Sequence, residues 1–171
     1  MNIKTTLINN IVNKFNLFPD DEIELYSPIE EKNILWFEDK FQLRIPQEYK
    51  EFLKYSNGLY LSGYDFLGIV QGTDRAYGLD SIYDFEHYEA GNEMPKTLLP
   101  FSPDGFGNHY CLDIRNGNVV FWEHDLDYTK TFPEIIASSF FVFLENIINE
   151  ALKGLWLFIV LFFNILWKNV V

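Results

Sequence analysis

The stretch from Leu98 to Asp125 constrains the fold more than any other part of the chain. It opens as a loop of Pro, Asp and Gly residues, enters a strand, turns at Asn116-Gly117 and returns as a second strand. Asn-Gly between two apolar-rich runs predicts a β-hairpin, because both residues tolerate the positive φ of a type I′ turn. A two-residue turn pairs Ile114 with Val119 and Leu112 with Phe121 on one face, and leaves Cys111 and Trp122 on the other. A slip of one residue would exchange the faces. Both faces carry apolar side chains, so the hairpin is expected inside a sheet rather than at its rim.

The rest of the chain offers helices to cover that sheet. Ile3, Leu7, Ile8, Ile11, Val12 and Phe15 recur at helical spacing, which predicts an amphipathic helix over 3–15. Ser27-Pro28-Ile29-Glu30 has the form of a helix start, with Ser27 as N-cap, Pro28 in the first turn and Glu30 at the capping-box position. The helix that follows carries Ile29, Ile34, Leu35, Phe37, Glu38 and Phe41. Pro46 opens a further helix to Tyr55, with Tyr49, Phe52 and Leu53 on its apolar side and Asn57-Gly58 as its stop. From Leu59 the pattern changes to strands and turns, and Phe66–Val70 is the clearest strand there. Leu79–Tyr88 predicts a short helix ended by the 91–95 segment, and Ser138-Ser139 precedes a helix from Phe140 to Leu152 with a wide apolar face.

At 171 residues the chain is long enough for one domain with a sizeable core, expected over 1–153. Its 17 Phe, 10 Tyr and 4 Trp suit a sheet with bulky side chains on its faces. A net charge of -12 argues against gripping nucleic acid through phosphates and favours a basic partner. The single cysteine, Cys111, rules out an intramolecular disulfide and a multi-cysteine zinc site. The first fifteen residues lack the apolar core of a secretory signal, so a cytoplasmic location is expected.

The tail differs in kind. Gly154–Trp167 has Asn164 as its only strongly polar side chain, with Lys153 and Lys168 at its ends, and is expected to be a hydrophobic helix over 154–171. At 1.5 Å per residue it spans roughly 21 Å, short of the ~30 Å hydrocarbon core. Counting from Ala151 to Val171 makes it a borderline spanning helix with a Trp near each end. A membrane-inserted or interfacial helix, a helix buried against protein, and an incidental extension all fit a segment that is apolar all round.

Several constellations suggest chemistry. In the hairpin register above, His109 lies opposite His124, with Cys111 and Asp113 on the same face, which makes a metal cluster conceivable. A hairpin alone rarely supplies a full ligand set, and Cys and His in strands more often serve as core or rim residues, so no metal or cofactor is expected. Asp104-Gly-Phe-Gly-Asn108 lacks the Lys and the following helix of a phosphate cradle, and is expected to be a turn capped by Asp104. No catalytic set emerges elsewhere. Asp80, Asp84, Glu86, Glu89 and Glu93 form an acidic run that reads either as a solvated face or as a docking surface for a basic protein, and Asp104, Asp125 and Asp127 add to that candidate surface.

Taken in order, these residues resemble the SUKH superfamily, which holds the fungal cell-wall assembly regulator and many bacterial immunity proteins. The resemblance is carried by Ile45-Pro46-Gln-Glu-Tyr-Lys-Glu-Phe-Leu53 with Asn57-Gly58, Leu99-Pro100-Phe101, Asp104 through Asp113, Gly117 through His124, and Ser139 through Leu144. No single motif is specific, but the ordered set covers about residues 25–150. It implies an α+β fold, with N-terminal helices and a C-terminal helix packed on a curved, mainly antiparallel sheet, and no enzymatic activity. It also implies an immunity protein of a polymorphic toxin system that neutralises a cognate toxin, commonly a nuclease, without binding nucleic acid itself. The alternative from a different class is a membrane-anchored regulatory or scaffold protein of the cell envelope, held through the tail that departs from the family pattern.

Overall fold

The computed structural model describes residues 3–71, 77–90, 94–128 and 131–168, with side chains described between residues 9 and 157. In chain order the elements are α1 (Ile3–Phe15), β1 (Ile23–Leu25), α2 (Glu31–Phe41), α3 (Gln47–Tyr55), β2 (Leu59–Leu61), β3 (Tyr64–Phe66) and α4 (Leu79–Asp84). One π-helical turn, Phe85–Glu89, prolongs α4. There follow β4 (Leu98–Pro103), β5 (His109–Asp113), β6 (Val119–Trp122), β7 (Glu134–Ala137) and α5 (Phe140–Lys168). The strands form two antiparallel sheets, β1-β2-β3 and β4-β5-β6-β7, so the fold is α+β as expected.

The inner face of the larger sheet contributes Leu99, Phe101, Leu112 and Val119 to the main core. There they meet Phe37 of α2, Tyr49, Phe52 and Leu53 of α3, and Phe140, Phe143 and Leu144 of α5. Tyr49 is fully buried among rings, with Phe140 at 4.8 Å and Phe101 at 5.5 Å between centroids. Its hydroxyl donates to the Leu67 carbonyl at 2.5 Å, and burial pushes its pKa up. A smaller cluster of Met94, Leu98, Cys111, Val120 and Trp122 covers the outer face under Tyr128. The hairpin therefore supplies the two central strands and is apolar on both sides, as its composition required.

Its register differs from the expected one. Leu112 pairs with Val119 and Tyr110 with Phe121, a shift of two residues that preserves the two faces. The cause is Asp113. Its carbonyl accepts from the N–H groups of Asn116 at 3.2 Å and Gly117 at 2.7 Å, so the turn holds four residues, with Gly117 alone at positive φ (82°). The Asp113 carboxylate fastens this loop, taking Nε and Nη2 of Arg115 at 2.8 Å each and Nδ2 of Asn116 at 2.9 Å. His109 consequently lies opposite Trp122, not His124, and the conceived metal cluster is not assembled.

Four other expectations are corrected. The expected strand Phe66–Val70 ends at Phe66, because the backbone groups beyond it go to other partners: the Leu67 N–H to the Phe101 carbonyl at 2.8 Å, the Gly68 carbonyl to the Leu79 N–H at 2.7 Å, and others to side chains. Asn57 bonds both the N–H and the carbonyl of Ile69, at 2.9 and 2.8 Å, and Asp80 accepts from Val70 at 2.8 Å and Gln71 at 3.1 Å. Leu98–Pro103, read as loop because of its two prolines, is an edge strand that accommodates them with an irregularity between Pro100 and Ser102. The second helix begins at Glu31 with Glu30 as N-cap and no side-chain cap bond, so Ser27 is not its cap. The last helix does not stop at Leu152 but continues through Gly154 to Lys168. Among the described residues no helix is long and apolar enough to cross a membrane. The side chains of the expected membrane tail from residue 158 onward lie outside the described residues.

Candidate functional site

Two loops meet at one end of the larger sheet. In the β4–β5 loop, Oδ1 of Asp104 accepts from the N–H groups of Phe106 at 2.7 Å and Asn108 at 3.0 Å, and Oδ2 accepts from Nδ2 of Asn108 at 2.7 Å. Partial burial pushes the Asp104 carboxyl up, but these hydrogen bonds and nearby His109 outweigh it and hold it below its ordinary pKa. The loop is thus the Asp104-capped turn the sequence predicts. The β6–β7 loop is latched to it: the His124 N–H donates to Oδ1 of Asn108 at 3.2 Å, and Nδ1 of His124 lies 2.9 Å from the same oxygen. A Cβ on Gly107, at φ +93°, would stand 3.2 Å from the His124 ring, so the contact admits only glycine comfortably.

What this rigid end presents is apolar and acidic together. Phe106 is 84% exposed and Leu126 is 54% exposed. Glu123, Asp125 and Asp127 are exposed on the same β6–β7 loop, with Nε2 of His124 3.1 Å from Asp125. Sequence reasoning named Asp125 and Asp127 but not Glu123, Phe106 or Leu126. The signal for Phe106 was its place between two glycines in a loop that contributes no strand or helix face to bury it.

The expected acidic face over 80–93 does not form a continuous surface. Asp80 turns inward as the acceptor for Val70 and Gln71, and Glu86 is buried against His109, whose Nε2 lies 2.9 Å from its carboxylate. Asp84 is half-exposed and paired with Lys40 at 3.0 Å. Glu89 is exposed, and Glu93 lies outside the described residues. The Glu86–His109 pair ties the π-helical turn to β5 beside Trp122, whose ring stacks on His109 at 5.9 Å. Cys111 is fully buried there, and burial followed by the charge of Glu86 raises its thiol pKa well above the ordinary value. A thiol held protonated and covered is a poor nucleophile. Among the described residues, no group of His, Cys, Asp and Glu is spaced to hold a metal ion.

Comparison with known proteins agrees with this architecture. A relative, the SPbeta prophage-derived uncharacterized protein YokK of Bacillus subtilis (strain 168), is 26% identical over 137 residues, covering 65% of this chain and 70% of that protein. A crystal structure of a protein from Pseudomonas syringae pv. tomato superposes with a TM-score of 0.54 at 19% identity, covering 68% of this chain and 83% of that one, and so shares the fold. The model of the SMI1 / KNR4 family (SUKH-1) matches residues 28–146, a span running from just before the second helix into the first turns of the last, and the chain belongs to that family.

Proposed function

We propose that the chain is a non-catalytic immunity protein that binds a cognate toxin and occludes the surface with which the toxin grips its substrate. Family membership supports the class of function. The observation that carries the reading is the preorganised loop end, where an 84% exposed Phe106 stands with the carboxylates of Glu123, Asp125 and Asp127. An exposed aromatic on a backbone already fixed by hydrogen bonds offers a partner's pocket an anchor with little loop ordering left to do. The surrounding carboxylates speed encounter with a basic partner and penalise wrong ones. A nuclease grips phosphates with Lys and Arg, so a toxin of that class has the complementary charge. In this reading Asp125, Asp127 and Glu89 contact the toxin, Asp104 acts by shaping the loop, and Asp80 and Glu86 support the scaffold. Residues 1–153 act as one cytoplasmic domain with 154–171 as a tail.

Co-expression with the toxin encoded beside this gene tests it. Protection of the cells and co-purification are expected, and Phe106→Asp combined with Asp125→Lys is expected to abolish both without lowering the thermal midpoint. Full protection by that variant, or no co-purification of the unmodified chain, refutes the reading.

A second reading, a regulatory scaffold held at the cell envelope, draws on Trp156 and Leu157 of α5, which are 69% and 62% exposed. Retention of the full chain in the membrane fraction, lost on removing residues 154–171, is its expected result.

A further inference from the structure

The smaller sheet has an outward face that the toxin reading does not use. Across its three strands Glu24 pairs with Tyr60 and Tyr60 with Asp65, so these side chains form one row on the same face. Their neighbours Leu59, Leu61 and Phe66 turn the other way into the core. The alternation of the strands therefore places an acid–tyrosine–acid row toward solvent, with Glu24 and Asp65 exposed and Tyr60 half-buried.

The row lies in a groove. One depression of about 480 Å³ is bounded by Asp20, Asp21, Glu24, Tyr60 and Asp65. A second, of about 320 Å³, continues it past Tyr77, which is 60% exposed, to Pro103. The two share Tyr26 and Asp65, so they adjoin and together make up the trough. Among the described residues that line it there is no Lys, Arg or His.

We infer that this trough is a docking site for an extended, arginine- or lysine-bearing segment of a protein partner. Strands lie about 4.8 Å apart, so the Glu24 and Asp65 side chains leave the backbone on either side of Tyr60 at roughly that spacing, with the Tyr26 hydroxyl donating to Glu24 at 3.4 Å. A guanidinium laid on the ring meets its negative face and both carboxylates at once. The net charge of -12 favours a cationic occupant over a second copy of the chain. The trough differs in its residues from the loop end of the larger sheet, so this inference and the toxin reading can fail separately.

The test is a fluorescence-anisotropy titration of the full chain with a labelled peptide of alternating arginine and glycine, at low and physiological salt. Glu24→Gln with Asp65→Asn is expected to weaken binding about tenfold, while Asp39→Asn with Glu134→Gln, exposed carboxylates outside both surfaces whose loss removes the same charge, changes it less than about twofold. Tyr60→Ala is expected to cost about fivefold and Tyr60→Phe, which keeps the ring, to bind like the unmodified chain. Equal weakening by the two double variants would mean that net charge alone attracts the peptide, and would overturn the inference. So would unchanged binding in Tyr60→Ala, or no binding by the unmodified chain.

Discussion

The contact between Asn57 and Ile69 replaces a strand partner with a side chain, and its removal has a calculable cost. Nδ2 of Asn57 donates to the Ile69 carbonyl at 2.8 Å and Oδ1 accepts from the Ile69 N–H at 2.9 Å, while Ile69 itself is 3% exposed. Gly68 backs onto the same residue so closely that a Cβ there would stand 2.0 Å from the Asn57 carbonyl oxygen, so the chain has little room to find other partners. Leaving a buried backbone group unpaired costs about 1–3 kcal/mol, and two such groups with water on one side put Asn57→Ala at about 2–4 kcal/mol. That is a large share of the roughly 5–15 kcal/mol that holds a domain folded. Asn57→Asp keeps the acceptor but aims a second oxygen at the Ile69 carbonyl, so at pH 7 it is expected to be at least as destabilising as alanine. Folding then disfavours the ionised form, so the introduced carboxyl has a raised pKa in the folded state. The penalty is therefore full above that value and shrinks as acidification protonates the group and restores a donor. Equilibrium urea unfolding, with the slope unchanged among variants, measures all three proteins. An Asn57→Asp variant within about 0.5 kcal/mol of the unmodified chain at pH 7 refutes the reasoning, as does a deficit that fails to shrink toward acid pH.

The remaining predictions use the same measurement. Burial pushes the Asp113 carboxyl up, but the bonds and charge of Arg115 and the bond from Asn116 hold it below its ordinary pKa. Its contribution is thus complete above about pH 5 and lost as pH falls through the lowered value, so the stability gap to Asp113→Asn is expected to close in acid. Tyr49→Phe leaves the Leu67 carbonyl without its donor in a closed core, and is expected to cost about 1–2 kcal/mol with no change in the unfolding slope. Gly107→Ala meets both a positive φ and the His124 ring, and is expected to cost about 1–2 kcal/mol and to loosen the loop that carries Phe106, read as faster amide exchange at Asn108.

The parts of the fold legible in the sequence are those with one buried stripe repeated over several turns. The helices at 3–15, 47–55 and 79–84 and the central hairpin follow from spacing alone, because burial of one face overrides local preferences there. The elements that were missed are short. Ile23–Leu25, Leu98–Pro103 and Glu134–Ala137 each hold three to six residues, and the first and last occupy sheet edges where little of the strand is buried. Such strands exist because a neighbour is present to pair with, and pairing is not written in their own residues. The two-residue shift in the hairpin has a similar origin. Asn116-Gly117 predicts a tight turn, but in the four-residue turn the Asp113 carboxylate takes bonds from Arg115 and Asn116 that fasten the wider loop.

The same reasoning sorts the carboxylates. A chain with 25 acidic residues tells a reader that acid is abundant, and not which acids remain free. Asp80 and Glu86 sit in the run that most resembled a solvated face, yet each ends within reach of buried donors, from Val70 and Gln71 in one case and His109 in the other. Glu24 and Asp65 drew no notice in the sequence because they stand 41 positions apart, and only the pairing of β1, β2 and β3 sets them on either side of Tyr60. A carboxylate becomes structural when the fold closes donors around it, and becomes a contact when strand alternation turns it outward beside an aromatic ring. Surface charge in this chain is therefore a property of topology, which is why the two faces it offers a partner, the Phe106 loop end and the Tyr60 trough, are best separated by variants that remove equal charge from each.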